Sequence, residues 1–418
     1  MPLFQLSCAV QEYAWGKVGS KSSVATLAAA NGDLQIDEHT AYAEYWFGTH
    51  AKGPAYVKRE GEEKQLLSDW LSANGGEAYQ TGQLPYLLKV LSIAKCLSIQ
   101  AHPNKGLAEK LHAERPTVYK DPNHKPEMTI ALTPFEAMCQ FRRSEEIVAY
   151  AETVPEFAAV LGEAGLAACQ RLKGAETEDQ RRSELKSLFT AYSKADVELV
   201  KSQVGILVTR VAEKGNDCDP AEEVAVRLAS QFPGDIGVFA PFLLNVIHLK
   251  PGEAVFLAAN EPHAYISGDC VEVMACSDNV VRMGCTPKLR DVEVLVDMLT
   301  YNSGMPKIMT GSTLSQHTRL YEPWDAAVTE FQIERTAFED SDSKTIALRE
   351  VPGPSLLLIL EGSGTASDGT PVGGANGSQI YFLGANETVT ITEDEQGQDG
   401  KRLIIARACE HFGAGGEN

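Results

Sequence analysis

The hydrophobic residues of this chain change their period twice, and that double switch constrains the fold more than any other feature. From residue 85 to 141 the apolar runs are short: "YLLKVLSI", "KCLSIQAH", "EMTIALT" and "FEAMCQF". Runs of this length, rich in aliphatic and β-branched residues, read as strands. Between about 144 and 232 the spacing becomes helical, with Leu185, Leu188, Phe189 and Tyr192 on one face. Thr177 with Gln180 has the form of a capping box, and Asp219-Pro220 with Glu222 is a second helix start, where proline is tolerated at the first helical position. After Gly234 strands return in "NVIHLKPGEAVFLAANEPHAYISG" and "CVEVMAC", with Pro251-Gly252 and Gly268-Asp269 read as turns. From about Thr310 a third region is wholly β-like, with "SLLLILEGSGTAS", "SQIYFLG", "TVTIT" and "RLIIARA". The chain therefore reads as mainly β with an inserted α-helical domain. The expected divisions are 1–142 and 235–304 for a first β unit in two parts, 143–234 for the insertion, and 305–418 for a second unit of jelly-roll form.

Charge narrows the partners. Fifty-seven acids against 37 bases give a formal charge of −20, which disfavours nucleic acid and anionic membrane. An anionic small molecule would need a local basic pocket. Nine cysteines without a Cys-x-x-Cys pair point to reduced thiols. The amino terminus lacks the pattern of a signal peptide, and no stretch reaches the ~18 apolar residues of a membrane span. The expected location is the cytoplasm, and the expected state a monomer.

The stretch "LSIQAHPNK" at 97–105 carries polar residues in register. In an extended chain Leu97, Ile99 and Ala101 share one face, and Ser98, Gln100 and His102 the other. That polar face is either solvated or turned into a cavity. Gln100 and His102, together with Glu127 of "NHKPEM" and His263 of "HAYISG", form a candidate four-ligand set for Zn²⁺. His39, His112, His317 and His411 read as ordinary surface or core histidines. Residues 268–292 are dense in charge, with Glu272, Asp278, Arg282, Lys288 and Arg290; they read either as a solvated loop or as part of a site. Lys89, Ser98 and Lys125 are candidate donors for a phosphate.

Five blocks carry a family resemblance: "YAWGKVGSKSSVA" at 13–25, "AEYWFGTHAKGPA" at 43–55, "LPYLLKVLSIAKCLSIQAHPNK" at 84–105, "YKDPNHKPEM" at 119–128 and "EPHAYISGDCVEVMACSDNVVRMGCTPKLRDV" at 261–292. Together, and in this order, they resemble type I mannose-6-phosphate isomerase of the cupin superfamily. The resemblance implies cupin-like jelly-roll β-sandwiches, with a helical domain inserted in the catalytic one. It implies one zinc ion per chain held by Gln100, His102, Glu127 and His263, a substrate phosphate at Ser98, Lys89 and Lys288, and an active-site arginine at Arg282. The implied reaction interconverts D-mannose 6-phosphate and D-fructose 6-phosphate through a cis-enediol and feeds GDP-mannose supply. Glu272 is the expected base, with Lys125, Asp278 and His102 as rivals and Tyr265 among the catalytic candidates; Lys125 has the alternative role of holding O1 or the ring oxygen. Two other readings keep the scaffold without the chemistry: a non-catalytic sugar-phosphate-binding cupin, and a metal-bound structural cupin.

Overall fold

The runs read as strands between residues 85 and 141 and after Gly234 as far as Ala275 join an eleven-stranded sheet in a computed structural model of the chain, which describes residues 3–59, 61, 63–338, 344–374, 379–394 and 402–412. At its centre is the strand His263–Ala275. Towards its end it pairs antiparallel with Tyr86–Ile93 and Glu127–Ala131, bringing Glu272 opposite Lys89 and Thr129. Towards its start it pairs with Phe135–Phe141 and, through His263 opposite Gln100, with Ile99–Ala101. One long strand thus joins two halves of the sheet around a common interior, where Leu91, Phe135, Ile247, Leu257 and Cys270 form an apolar floor.

This strand corrects one expectation. Gly268-Asp269, read as a turn, lies within it. Gly268 adopts a φ of 111° where a Cβ would come within 2.6 Å of the Pro134 carbonyl oxygen, so the strand bends there without reversing. Asp269 stays buried because Lys17, Ser23 and Ser92 donate to its carboxylate at 2.8, 3.0 and 2.7 Å.

The helical insertion contains Ser144–Thr153, Pro155–Lys173, Glu178–Ser193, Val197–Lys214 and Pro220–Gln231. The expected capping box forms between Thr177 and Gln180, and the expected helix start at Asp219-Pro220 is also closed by a capping box, between Asp219 and Glu222. Leu185, Leu188, Phe189 and Tyr192 are buried in a core that also takes in Ile99, Ala101, Met138, Ala264, Ile266, Val281 and Met283 from the sheet. The helices therefore cover the outer face of the very strands whose inner face carries Gln100 and Arg282. Burial of such side chains contributes roughly 25 cal/mol per Å² of apolar surface, and here that contribution fixes the polar face opposite. Leu97 departs from the alternation: it precedes the strand Ile99–Ala101 and packs towards the interior.

The second β unit pairs a nine-stranded sheet with a four-stranded one over a core of Leu357, Ile359, Tyr381, Ile391 and Ile405. The nine-stranded sheet also recruits amino-terminal residues: Leu3–Ser7 lies between Ile380–Leu383 and Tyr56–Lys58. Its other face packs on the back of the eleven-stranded sheet, where Leu88, Val90, Val271 and Val273 meet Leu356, Leu358, Ala406 and Ala408. All nine cysteines are free. No helix among the described residues is long and apolar enough to cross a membrane.

Candidate active site

His102, Glu127 and His263 come together from three different strand ends, each buried, with one potential ligand atom apiece within 4.8 Å of the others. His102 Nε2 lies 3.4 Å from Glu127 Oε1, and His263 Nε2 lies 3.3 Å from Glu127 Oε2. With one donor atom from each residue within 4.8 Å of the others, a single ion with bonds of about 2.0–2.2 Å can reach all three. Each imidazole is oriented through its far nitrogen, His102 Nδ1 to the Asn279 carbonyl at 2.6 Å and His263 Nδ1 to the Glu261 carbonyl at 3.1 Å. These bonds put the proton on Nδ1 and leave Nε2 free to ligate. With its proton on Nδ1, His263 Nε2 faces Glu127 as one acceptor beside another and has no hydrogen-bond partner among the described residues, an arrangement a metal ion would satisfy.

Electrostatics agree. Burial pushes His102 down to about 4 despite the pull of Glu127, which keeps the ring neutral and its lone pair available. Burial alone would raise Glu127, but Lys125, at 3.0 Å, and His102 hold its carboxyl well below the usual range. Gln100 stands beside them, its Nε2 3.5 Å from His102 Nε2 and its Oε1 accepting from Ser98 Oγ at 3.0 Å. A half-turn of that amide brings Oε1 to the imidazoles and lets Nε2 donate to Ser98, so Gln100 can serve as the fourth ligand.

The cluster sits in a cavity of about 520 Å³ whose lining includes every candidate ligand, catalytic and phosphate residue named from the sequence except His102. Six lysines and arginines (Lys52, Lys89, Lys120, Lys125, Arg282, Lys288) face four acids (Glu44, Glu127, Glu272, Asp278), giving a locally basic site in an acidic molecule. Arg290 turns away from it and donates to the Met283 carbonyl at 2.7 Å. Deep in the cavity, Glu272 accepts from the Tyr265 hydroxyl at 2.8 Å and from Lys89 Nζ at 3.1 Å. Thr129 Oγ1 lies 2.5 Å from the same tyrosine oxygen. Burial raises the Glu272 carboxyl, with Lys89 opposing. Lys89 is itself disfavoured by burial, yet Glu44, 3.4 Å away, and Glu272 hold it above its ordinary value. It also lies over the Trp46 ring at 5.2 Å.

The rim is different in character. Asp278 pairs with Lys52 at 2.7 Å; burial works against its charge, but Lys52 keeps it below the usual carboxylate range. Arg282 is half-buried and has no ion-pair or hydrogen-bond partner among the described residues. Lys288 and Lys120 are exposed residues of the same lining. Glu44, Trp46, Lys52, Lys120, Asn279 and Glu261 went unremarked in the sequence. All six lie within the resembling blocks at 43–55, 119–128 and 261–292, but Asn279 and Glu261 act through backbone carbonyls, which no side-chain pattern announces. A larger cleft, of about 940 Å³, runs between Pro220–Gln231 and the outer sheet face; its Arg227 and Glu136 are already paired with each other at 2.6 Å.

Comparison with known proteins points the same way. Residues 3–144 match the family described as phosphomannose isomerase type I, catalytic domain, and residues 161–244 match its helical insertion domain. Mannose-6-phosphate isomerase of Rattus norvegicus is 44% identical over 421 residues, spanning 97% of this chain and 98% of that protein. The Homo sapiens enzyme is 44% identical over 429 residues, with the same shares covered. Among solved structures, mannose 6-phosphate isomerase from Salmonella typhimurium bound to substrate and zinc superposes with a TM-score of 0.80 at 29% identity, covering 99% of this chain and 100% of that one. A zinc-bound holo structure of mannose 6-phosphate isomerase matches equally well, with a TM-score of 0.80. With its strand order, its inserted helices and its buried His–Glu–His cluster accounted for by one family, this chain belongs to the type I phosphomannose isomerases and is an isomerase enzyme.

Proposed function

We propose that the cavity interconverts D-mannose 6-phosphate and D-fructose 6-phosphate with one zinc ion held by Gln100, His102, Glu127 and His263. The observation that carries this reading is the buried His102–Glu127–His263 cluster, with its unpartnered His263 Nε2, in a locally basic cavity. When bound, the ion polarises the sugar oxygens and lowers the cost of the enediolate charge.

The remaining chemistry falls to the protein. Moving the carbonyl from C1 to C2 transfers a proton from C2 to C1 and another from O2 to O1, through a cis-enediol. Glu272 takes the C2 proton and returns it to C1, its raised carboxyl lying nearer to neutrality than an exposed one. Tyr265 and Lys89 hold its two oxygens and set its direction. Lys125, beside Glu127, holds O1, and the unpaired Arg282 stabilises the enediolate. Ser98 and Lys288, which line the same cavity as Lys120, hold the phosphate and so align C1 and C2 for transfer. Because Lys89 is already matched by Glu44 and Glu272, its proposed role shifts from phosphate anchor to partner of the base. In metabolism this reaction supplies mannose 6-phosphate towards GDP-mannose.

A coupled assay for fructose 6-phosphate tests the reading. Purified protein should turn over mannose 6-phosphate, lose activity on chelation and regain it with added zinc. Stable binding of the sugar phosphate without turnover would replace this reading with the sugar-phosphate-binding cupin.

A further inference from the structure

In the block "YKDPNHKPEM" the metal and substrate account for Lys120, Lys125 and Glu127 but leave Asp121 without a role. Asp121 is where two distant parts of the chain interlock. Its Oδ1 accepts from Ser277 Oγ at 2.8 Å, from the Asn123 backbone N–H at 3.0 Å and from Asn279 Nδ2 at 3.3 Å; its Oδ2 accepts from the Asp278 backbone N–H at 2.8 Å. Asn279 returns the contact, donating Nδ2 to the Asp121 carbonyl at 2.6 Å and to the Asn123 carbonyl at 3.0 Å. Ser277 and Asn279 are 4% and 1% exposed, so these bonds have little water to compete with. The turn they fix, residues 277–279, includes the Asn279 carbonyl that receives His102 Nδ1 at 2.6 Å.

We propose that Asp121 is a positioning residue for the metal centre, holding the 277–279 turn so that the Asn279 carbonyl fixes the tautomer and direction of His102. The role rests on the zinc reading above and extends it outward from the ligands. A carboxylate suits this place because every group facing it is a donor; it offers acceptors only. An asparagine has the same shape but must turn an NH₂ towards at least one of these N–H or O–H groups, which pushes the turn away and loosens His102. Loss of such outer partners typically weakens metal affinity about 10–100-fold.

Asp121→Asn in the full chain provides the test. Zinc affinity is read by competition with a chromophoric chelator, and thermal unfolding is followed separately on metal-free protein. The expected result is binding about 10–100-fold weaker than the parent, with the metal-free midpoint little changed and turnover recovered at saturating zinc. Unchanged affinity overturns the role, as does a lowered midpoint with affinity intact, which would make Asp121 structural only. Should Asp121→Asn not accumulate as folded protein, Ser277→Ala decides: it removes one donor and leaves the carboxylate, so a smaller loss of affinity supports the role and none refutes it. A parent protein that takes up no zinc would refute the metal reading itself rather than the part given to Asp121.

Discussion

At the scale of one residue, the role proposed for Arg282 rests on a half-buried charge without a partner among the described residues. Burial lowers its pKa, yet a guanidinium stays protonated at any working pH, so the charge waits for a ligand that brings the opposite sign. Arg282→Lys keeps the charge and loses the planar fork. Steady-state assays should show kcat falling on the order of 10²-fold, as for loss of an oxyanion donor, with zinc content and thermal midpoint near those of the parent. Near-normal turnover would remove Arg282 from the chemistry. The proposed base, Glu272, has its own signature in pH. Lys89 opposes the rise that burial imposes on Glu272, so Lys89→Met should raise the Glu272 carboxyl further. A base must be deprotonated to act, and the acid limb of kcat/KM should therefore move to higher pH in the activity that remains; a limb that stays put or moves lower would point to another base. The proposed ligands Gln100, His102, Glu127 and His263 could be named from the sequence because they sit in motif blocks. Their spacing alone was not enough, since the register that sets His263 opposite Gln100 is not written in either segment.

Among the elements, those fixed by near neighbours were the ones sequence could read. The caps at Thr177 and Asp219 are satisfied within one turn, by Gln180 and Glu222, so their signal is local. The continuity of His263–Ala275 through Gly268-Asp269 depends on Lys17, Ser23 and Ser92, which are far away in sequence, and the same dipeptide read locally is a turn. Glu222 also has a second function that its capping position conceals. It and Glu156 are buried, and Arg210 bridges them at 2.7 and 2.8 Å, with Lys214 adding a bond to Glu222. Arg210→Ala would leave the Glu156 carboxylate buried and uncompensated. Urea titration should then give a lower midpoint at unchanged slope, equivalent to about 3 kcal/mol. A change within about 0.5 kcal/mol, the range of ordinary surface substitutions, would mean that the insertion relaxes to solvate the acid.

The whole molecule is held together by a core that belongs to neither β unit alone. Phe4 stacks on Phe382 at 4.9 Å and meets the edge of Trp70 at 4.8 Å, in the same cluster as Val271 and Val273 behind the site. Phe4→Ala should cost about 3–5 kcal/mol. Because the cluster is shared, calorimetry and the decay of activity should report one transition moved to lower temperature; two separate transitions would show that the units melt independently. The pairing of Leu3 with Leu383 also has a consequence in time. The strand Leu3–Ser7 finds Tyr56–Lys58 early, but its other edge waits for Ile380–Leu383. At roughly 5–20 residues per second of synthesis, that wait is on the order of a minute or less. During translation, then, a chain stalled before residue 380 already carries Gln100, His102, Glu127 and His263, but one edge of the strand Leu3–Ser7 still stands open, the kind of edge that invites pairing with another chain.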